Sequence, residues 1–540
     1  MLGRPAVRLP WELSTKSEKG GAGGSISCEM ESSDVDALRA EALRALALLR
    51  DHDWLLNARV ATDFVADDLF SRLPEGWGDA LLELGDEELT NLPIALPLPP
   101  RWPAALRALV EAARAFSVLP HEIVEDSSVN RWLLQQVPNT RNMGPKKRHE
   151  CLRLAPCIAR VCADTSASAV VDLGSGLGYL SHVLAFHHGL KVVGLEASEA
   201  NAAGAATRAE RVLAKMRPGR DVAADALTCE PCDSADETDV AEADGEGAAA
   251  HVASVSDGAS GGSFSSVRWR LPVDTGRAAL LDALRPAVRQ RRLVLVGLHA
   301  CGDLSPTLLR CFAEGAADDD AVAGVVSVGC CYHRVTQARL PLSSTLRDAT
   351  RAAEAAADAA ALPAAPLSES ARHLAVQAVR RWPPPHTPIK TTRQRWRQHL
   401  WRCVLELQIR AARPGEEESE LAHGWMPRDG NVGPTPAHVA SFEAYAAVAL
   451  ERLGLPAADP AALAALWQAN AHHERRLAAF VALRGVLAPV VERLLLLDRA
   501  LYVHEAAGGG VRVALLPLFS PVDSPRNTAV VAWREREPAG

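Results

Sequence analysis

The stretch that decides the fold is VVDLGSGLGYL, residues 170–180, where two valines lead into an acid and then into three glycines at alternate positions. The short apolar run before Asp172 predicts a buried β-strand, and the residues after Gly178 predict a helix. A turn at the carboxyl end of a strand needs glycine where φ is positive or where a ligand approaches the backbone. The helix that follows offers free N–H groups to a polar ligand. The loop is therefore predicted to bind a nucleoside cofactor.

An acid at the start of this loop separates the motif from the common dinucleotide fingerprint, whose glycines are not normally preceded by Asp at that point. Asp172 suits hydrogen bonding around an amino-acid ammonium group. Glu196 ends the next apolar run, close to the ~20-residue offset at which an acid accepts hydrogen bonds from ribose hydroxyls. These features favour S-adenosylmethionine over a nicotinamide dinucleotide, and over a glycine turn used only for packing. The candidate cofactor-binding residues are Asp172, Gly174, Ser175, Gly176, Leu177, Gly178 and Glu196.

The alternation of strands and helices continues after this unit. Apolar runs at 292–300 and 323–333 predict two further strands, joined by a helical stretch. The β-rich segments 501–519 and 528–535 are separated by turn residues and predict an antiparallel hairpin. The predicted fold class is α/β: a class I Rossmann-like methyltransferase sheet with a terminal antiparallel hairpin, a helical amino-terminal region and helical insertions.

The predicted organisation has five parts, assigned from composition and hydrophobic periodicity. They are a disordered segment at 1–33, a helical region at 34–140, the first part of the core at 141–335, a helical and partly disordered insertion at 336–496, and a terminal hairpin at 497–540 that completes the sheet. Within the core, residues 217–265 are rich in Ala, Asp, Glu, Gly and Ser. We expect them to leave the sheet as a disordered insertion.

Composition narrows the classes of partner. The 540 residues carry a formal net charge of −8, so any nucleic-acid surface must be a local basic patch. The eleven cysteines are scattered and odd in number, which fits free thiols in a reducing compartment. The sequence has neither an uninterrupted apolar run of about 18 residues nor an apolar amino-terminal signal. We therefore expect a cytoplasmic or nuclear protein with no membrane partner.

Five blocks of the sequence carry a family resemblance. They are MGPKKRHE (143–150), DLGSGLGYLS (172–181), GLHACGDLS (297–305), VGCCYH (328–333) and LLPLFSPVDSPRN (515–527). They resemble blocks of eukaryotic methyltransferase-like proteins, some of them labelled ribosomal RNA adenine dimethylase domain-containing. The resemblance spans about residues 34–535, with gaps at the low-complexity insertion and an Ala-rich segment. It implies a Rossmann-like methyltransferase fold and S-adenosylmethionine. The middle blocks also resemble a tRNA 2′-O-methyltransferase family, which implies an RNA substrate.

The sequence departs from the adenine dimethylases in one respect. Those enzymes have an Asn-(Leu/Ile)-Pro-(Tyr/Phe) block after the fourth strand, where acceptor groups hold the exocyclic amine against the methyl donor. This chain has GLHACGD at residues 297–303 instead. Adenine N-methylation is therefore not supported by the residues that would perform it.

Polar residues that follow the two later strands are the candidates for catalysis. Ligands of open α/β sheets bind beyond the carboxyl ends of the strands, so these residues should face one crevice. Methyl transfer to oxygen or nitrogen needs in-line alignment and sometimes a base that accepts the departing proton. The candidate catalytic residues are His299, Asp303, Tyr332 and His333.

Cys301, Cys330 and Cys331 lie at the same strand ends and admit three interpretations. Methylation at a pyrimidine carbon needs a thiolate nucleophile, although the usual Pro-Cys and Thr-Cys contexts are absent. Zinc binding would need ligands from two strand ends to converge, and adjacent cysteines rarely both point one way. Free cysteines are often small buried packing residues. We therefore predict no metal site.

Two basic segments are candidates for contact with RNA. One precedes the first strand and consists of Lys146, Lys147 and Arg148. The other is residues 380–413, whose arginines and tryptophans suit phosphate contacts and base stacking. Its tryptophans are Trp382, Trp396 and Trp401. The alternatives are a solvated helix start for the first segment and core packing of the tryptophans for the second. The sequence does not identify a protein partner.

The predicted function is S-adenosylmethionine-dependent methylation of RNA at oxygen or nitrogen, with positional and general-base catalysis. Two alternatives keep the fold. One is a non-catalytic scaffold that binds a partner, and the other is a Cys-dependent RNA pyrimidine C-methyltransferase. A dehydrogenase is a third alternative, which depends on the glycine loop binding NAD.

Overall fold

A computed structural model describes ten ranges of the chain. They are residues 34–117, 143–216, 250–256, 261–288, 292–315, 321–336, 340–356, 367–412, 440–508 and 510–534. The disordered segment predicted at 1–33 and most of the insertion predicted at 217–265 lie outside these ranges. Within them, no helix is long and apolar enough to cross a membrane.

One eight-stranded sheet forms the centre of the fold. In chain order its strands are β1 (Ala169–Leu173), β2 (Lys191–Glu196), β3 (Ala250–Ser256), β4 (Ser263–Arg268), β5 (Leu293–Ala300), β6 (Val322–Gly329), β7 (Val511–Pro517) and β8 (Thr528–Arg534). Their order across the sheet is β3-β4-β2-β1-β5-β6-β8-β7. The five strands from β4 to β6 in this order are parallel, while β3 and the β7–β8 hairpin are antiparallel to their neighbours. The predicted α/β class with a terminal hairpin is confirmed.

Two sequence-based boundaries are wrong. Part of the segment expected to loop out, 217–265, forms β3 and the start of β4, and β4 pairs in parallel with β2 inside the sheet. The serine-rich sequence SFSSVR hid this strand because it lacks an apolar pattern; Ser266 is nevertheless buried, and its hydroxyl donates to the carbonyl of Ala202 at 2.9 Å. The second error is at the terminal hairpin, predicted from residue 497, because a helix continues through Ala507 before β7 begins at Val511.

Helices cover both faces of the sheet. In chain order they are α1 (Val35–Asp51), α2 (Asp53–Leu56), α3 (Val60–Asp63), α4 (Trp77–Leu82), α5 (Asp86–Asn91), α6 (Ala104–Arg114), α7 (Pro145–Thr165), α8 (Tyr179–Phe186), α9 (Glu199–Met216), α10 (Arg277–Leu284), α11 (Leu304–Ala313), α12 (Ser344–Ala356), α13 (Glu369–Ala375), α14 (Ile389–Ala412), α15 (Phe442–Arg452), α16 (Pro460–Asn470), α17 (Glu474–Gly485) and α18 (Ala488–Ala507). Short 3₁₀ turns lie at Leu69–Arg72, Tyr332–Arg334, Val379–Arg381 and Ala471–His473.

The strand residues alternate between two hydrophobic cores. In β1, Val171 joins the core formed with the amino-terminal helices, the later helices and α18, whereas Val170 joins the core formed with α7, α8 and α9. Both faces are buried, which explains why the central strands read as continuous apolar runs. The parallel strands β1, β2, β5 and β6 have their carboxyl ends at one edge of the sheet. The chain passes from β1 to β2 on one side and later crosses back from β4 to β5 on the other side of β1. This switch in strand order is where ligands bind in such sheets.

Candidate active site

The glycine loop after β1 is shaped by three left-handed residues. Gly174, Gly176 and Gly178 have φ values of +74°, +55° and +74°, which side chains other than glycine rarely adopt. A Cβ atom built on Gly176 would meet no other atom within 4 Å, so the backbone there borders open space. The loop is therefore open at Gly176, which leaves room for a ligand against the backbone there.

The other two predicted loop residues hold the turn in place. A Cβ atom on Gly194 of β2 would lie 2.7 Å from the Ser175 hydroxyl, and one on Gly204 of α9 would lie 2.9 Å from Leu177 Cδ2. The side chains of Ser175 and Leu177 thus occupy the space that these glycines leave. What these two residues present to a ligand is backbone, and their side chains pack beneath it.

Glu196 points at the glycine loop, as the sequence predicts. Its Oε2 accepts a hydrogen bond from the backbone N–H of Gly176 at 2.9 Å, and its Oε1 accepts one from the N–H of Ser198 at 2.9 Å. The carboxylate at the end of β2 is therefore held next to the open position on the loop. An acid in this position fits the hydroxyl groups of a ribose.

Asp172 is buried beneath the loop with an exposed fraction of 2%. One of its oxygens, Oδ2, accepts a hydrogen bond from the Ser181 hydroxyl at 2.6 Å, which ties the end of β1 to the first turn of α8. Burial raises the pKa of this carboxyl to about 6, partly offset by the bond from Ser181. Asp172 thus braces the loop from below.

A second polar cluster lies at the end of β5, around His299. The imidazole Nε2 lies 3.0 Å from Oε2 of Glu150, a residue of α7 that is 1% exposed. The Ser524 hydroxyl, in the turn before β8, donates to the other carboxylate oxygen at 2.6 Å. Burial favours the neutral carboxyl, but the bond from His299 and the charge of Lys146 outweigh it, and the pKa of Glu150 falls below its usual value.

Glu150 and Ser524 were not predicted as site residues, although both lie in blocks that carry the family resemblance. The available signal was a carboxylate on the buried face of a helix, next to Cys151 and Leu154, where an unpaired charge is costly. Such a residue needs a partner. The sequence does not say which histidine supplies it.

Residues near the start of helix α7 contact both the glycine loop region and the turn of the hairpin. Near its start, Lys147 Nζ lies 5.0 Å from the centre of the Tyr179 ring, just after the glycine loop. Two residues later, His149 Nε2 accepts a hydrogen bond from the N–H of Ser520 at 2.9 Å. The basic residues of MGPKKRHE are therefore next to the candidate site.

The other predicted catalytic residues do not join His299. Both carboxylate oxygens of Asp303 accept hydrogen bonds from Thr336, from its N–H at 3.0 Å and from its hydroxyl. Tyr332 is 1% exposed, and its ring lies beneath Arg499, with 4.7 Å from the guanidinium carbon to the ring centre. Tyr332 therefore belongs to the core rather than to a surface open to substrate. The side chain of Asp303 is engaged in holding the segment that follows β6 at Thr336.

His333 stacks on the imidazole of His373 at a ring separation of 5.0 Å. Burial lowers the pKa of both histidines, so both rings are favoured in the neutral form. The contact joins the turn after β6 to α13. His333 therefore has a packing partner of its own, separate from the cluster of Glu150 and His299.

The cysteines at the two strand ends do come together. The sulfurs of Cys301 and Cys330 are 2.8 Å apart, those of Cys330 and Cys331 are 3.5 Å apart, and all three lie within 4.8 Å of one another. Hydrogen bonds from the neighbouring thiols lower the pKa of Cys331. The three cysteines are half-buried and adjacent to one another at the ends of β5 and β6.

Two tryptophans of the basic segment 380–413 are buried, which does not fit the base-stacking hypothesis. Trp396 and Trp401 are 8% and 6% exposed, and Trp401 contacts the rings of Tyr445 and Trp467. These tryptophans stack on the core and are not available to a base. Several arginines of the segment pair with acids of other helices: Arg393 with Asp86, Arg397 with Glu474, and Arg410 with Asp63 and Asp67.

The sheet order, the open glycine loop and the acid of β2 agree with the result of comparison with known protein families. Residues 146–338 match the family described as "Methyltransferase domain". The chain therefore contains a methyltransferase domain. It is similar to the mouse protein named "Probable methyltransferase-like protein 25", with 25% identity over 488 residues, 73% of this chain and 76% of the mouse protein. The human protein of that name is 24% identical over 491 residues, 73% of this chain and 75% of its own length. No solved structure matches the chain. The predicted relation to eukaryotic methyltransferase-like proteins is confirmed.

Proposed function

We propose that this protein is an S-adenosylmethionine-dependent methyltransferase that acts on RNA. The observation that carries the cofactor assignment is the open backbone at Gly176 beside the carboxylate of Glu196. A nucleoside fits this pair because the loop leaves space for it and the acid offers acceptors to its ribose. When bound, S-adenosylmethionine supplies a methyl group activated by its sulfonium.

The residues of the chain divide the binding work. Glu196 would accept hydrogen bonds from the ribose hydroxyls, and the open backbone at Gly176 would lie against the ligand. The N–H groups of Gly174, Ser175, Gly176 and Gly178 already donate to Leu195, Ser175 and Glu196, so they shape the loop rather than bind the ligand. Asp172 supports this loop through Ser181, so its effect on binding is through the shape of the turn. Ser175 and Leu177 contribute by packing the loop onto β2 and α9.

The proton released by the acceptor needs a base, and His299 is the candidate that the contacts favour. Its Nε2 faces the buried carboxylate of Glu150, which favours the tautomer with hydrogen on Nε2. Its Nδ1 is buried and has no hydrogen-bond partner among the described residues, so it is the nitrogen that remains to accept a proton from an acceptor bound against it. Glu150 then stabilises the imidazolium, and Ser524 orients Glu150.

The RNA part of the proposal depends on the start of α7. Lys146, Lys147 and Arg148 lie within one turn of His149 and Glu150, so a phosphate bound there would lie beside the candidate base. Because the chain has a formal net charge of −8, this local basic patch must supply the electrostatic attraction to RNA. The basic segment 380–413 would contribute phosphate contacts only, through exposed residues such as Arg395.

Calorimetry and methyl transfer test the two parts separately. We expect S-adenosylmethionine and S-adenosylhomocysteine to bind, NAD not to bind, and Gly176→Arg to abolish binding because the new side chain fills the open position. Tritiated methyl groups should then reach total RNA and not a protein extract. Binding of NAD alone would overturn the cofactor assignment. Binding without transfer to RNA or protein would instead favour the scaffold function.

The lysines supply the control for the RNA assignment. Lys147→Glu should reduce transfer to RNA while the affinity for S-adenosylhomocysteine is unchanged, because a phosphate contact is lost and the loop is not. Lys215→Glu, at the far end of α9, is the matched control. Equal loss of transfer in both variants would contradict a specific role of the α7 patch.

A further inference from the structure

We propose that Cys301, Cys330 and Cys331 bind one Zn²⁺ ion at the carboxyl edge of β5 and β6. The three sulfurs belong to residues that directly follow two strands, and they lie within 4.8 Å of one another. No carboxylate or imidazole of the described residues belongs to this group. A site built only of thiolates selects a soft, thiophilic ion, and zinc is the usual occupant of such sites.

The backbone is shaped to bring these sulfurs together. The pairing of β5 with β6 shifts register between Leu298 and Ala300, and His299 and Gly302 have φ values of +61° and +53°. In a regular strand successive side chains would point to opposite faces. The irregular end of β5 instead lets Cys301 face the end of β6, although a positive φ at a histidine is unfavourable.

A second bend explains how two adjacent cysteines share one target. Cys330 follows the last residue of β6, and Cys331 has φ −97° and ψ +67°, outside the extended conformation of a strand. The chain then enters the 3₁₀ turn Tyr332–Arg334. Because the backbone turns between the two residues, both sulfurs lie on the same side and 3.5 Å apart.

The distances need only a small adjustment to accept the ion. Zinc–sulfur bonds of about 2.3 Å at tetrahedral angles separate the sulfurs by roughly 3.8 Å. Cys330 and Cys331 are already close to this separation, whereas Cys301 and Cys330, at 2.8 Å, must move apart by about 1 Å. Rotation of the two half-buried side chains suffices for such a movement.

Three protein ligands leave one coordination position open, which is the pattern of zinc sites that bind water or substrate. A disulfide between Cys301 and Cys330 is the competing state of these thiols. A disulfide would involve only two of the three sulfurs and would not explain why the sulfur of Cys331 lies beside them.

Metal analysis of the full-length protein, purified under reducing conditions without a histidine tag, tests the proposal. We expect elemental mass spectrometry to find one equivalent of zinc per chain. After removal with a chelator, Co²⁺ should restore a bound ion with thiolate-to-cobalt charge-transfer absorption. Each of Cys301→Ser, Cys330→Ser and Cys331→Ser should weaken zinc binding by more than the roughly 10–100-fold cost of losing an outer-shell partner.

Cys157→Ser is the matched control, since it removes a half-buried thiol of α7 outside the cluster. It should retain the full zinc content and the cobalt spectrum. The wild-type cobalt spectrum keeps the test informative if a cluster variant does not fold. Absence of zinc together with failure to bind added Zn²⁺ or Co²⁺ would overturn the proposal. So would a cobalt spectrum without charge-transfer bands, or a native Cys301–Cys330 disulfide found by peptide mapping.

Discussion

Replacement of Glu196 by alanine tests how the chain recognises its cofactor. In the free protein the carboxylate accepts one hydrogen bond from the loop at Gly176 and one from Ser198, and both oxygens keep lone pairs for a ligand. The alanine variant keeps the glycine turn because its left-handed residues remain. It removes the acceptors that we assign to the ribose hydroxyls, together with the two hydrogen bonds from the N–H groups of Gly176 and Ser198.

The magnitude follows from the type of bond. A hydrogen bond to a charged group contributes roughly 1.5–3 kcal/mol, and its loss corresponds to roughly 10–150-fold weaker binding. Two ribose hydroxyls double the free energy if both bonds form. The lower end of the range for one bond is therefore the minimum effect, and we expect the dissociation constant of S-adenosylhomocysteine to rise at least about tenfold.

Calorimetry with S-adenosylhomocysteine and with its 2′-deoxy and 3′-deoxy analogues measures the effect and its cause together. The wild-type protein should bind the deoxy analogues more weakly than the parent compound, whereas Glu196→Ala should discriminate much less among the three. Glu199→Ala is the matched control, because Glu199 is 76% exposed and pairs with Arg268 at 2.6 Å on the surface. It should bind like the wild type.

Two results would refute this reasoning. If Glu196→Ala binds S-adenosylhomocysteine as tightly as the wild type, the carboxylate does not contact the ribose. If the affinity falls but the preference for the hydroxylated ligand is retained, Glu196 acts only by holding the loop at Gly176.

Three further predictions concern the second cluster, the loop's packing and the basic segment. Glu150→Gln should lower the rate constant of methyl transfer by about 100-fold or more, with unchanged affinity for S-adenosylhomocysteine, because it weakens the proposed base but not the cofactor site. An unchanged rate constant in single-turnover assays would exclude this role. Burial lowers the pKa of His182 to about 3, so its contribution to stability is complete above pH 6.5 and is lost as the pH falls, because only the unfolded state then gains the proton. Between pH 6.5 and 5 this loss is about 2 kcal/mol, and urea unfolding of His182→Phe should show a correspondingly weaker pH dependence, whereas parallel pH curves for variant and wild type would contradict the assignment. Trp401→Ala should reduce the free energy of unfolding by about 3–5 kcal/mol in denaturant titration, and a change near zero would mean that this tryptophan is not a core residue.

Local patterns carried the prediction of the glycine loop. The strand, the turn and the helix of residues 170–180 are contiguous, and each glycine is needed for a backbone angle that the chain adopts within this segment. Glu196 was predictable because β2 follows directly and pairs in parallel with β1, which brings the ends of the two strands together. Strand β4 escaped prediction because its serines give no apolar pattern, and the buried hydroxyl of Ser266 finds its acceptor, the carbonyl of Ala202, only in the folded chain.

Contacts between distant segments determined the rest of the site. Glu150 meets His299 across 149 positions and Ser524 across 374, so no periodicity or spacing announces either contact. The same holds for the three cysteine sulfurs, whose convergence depends on a register shift and two bends. By itself the sequence determined the class of fold, the glycine turn and the acid of β2, because their chemistry is local or one strand away. Only the tertiary structure decided which buried groups pair and which tryptophans are hidden, since both depend on how separate helices pack against the carboxyl edge of the sheet.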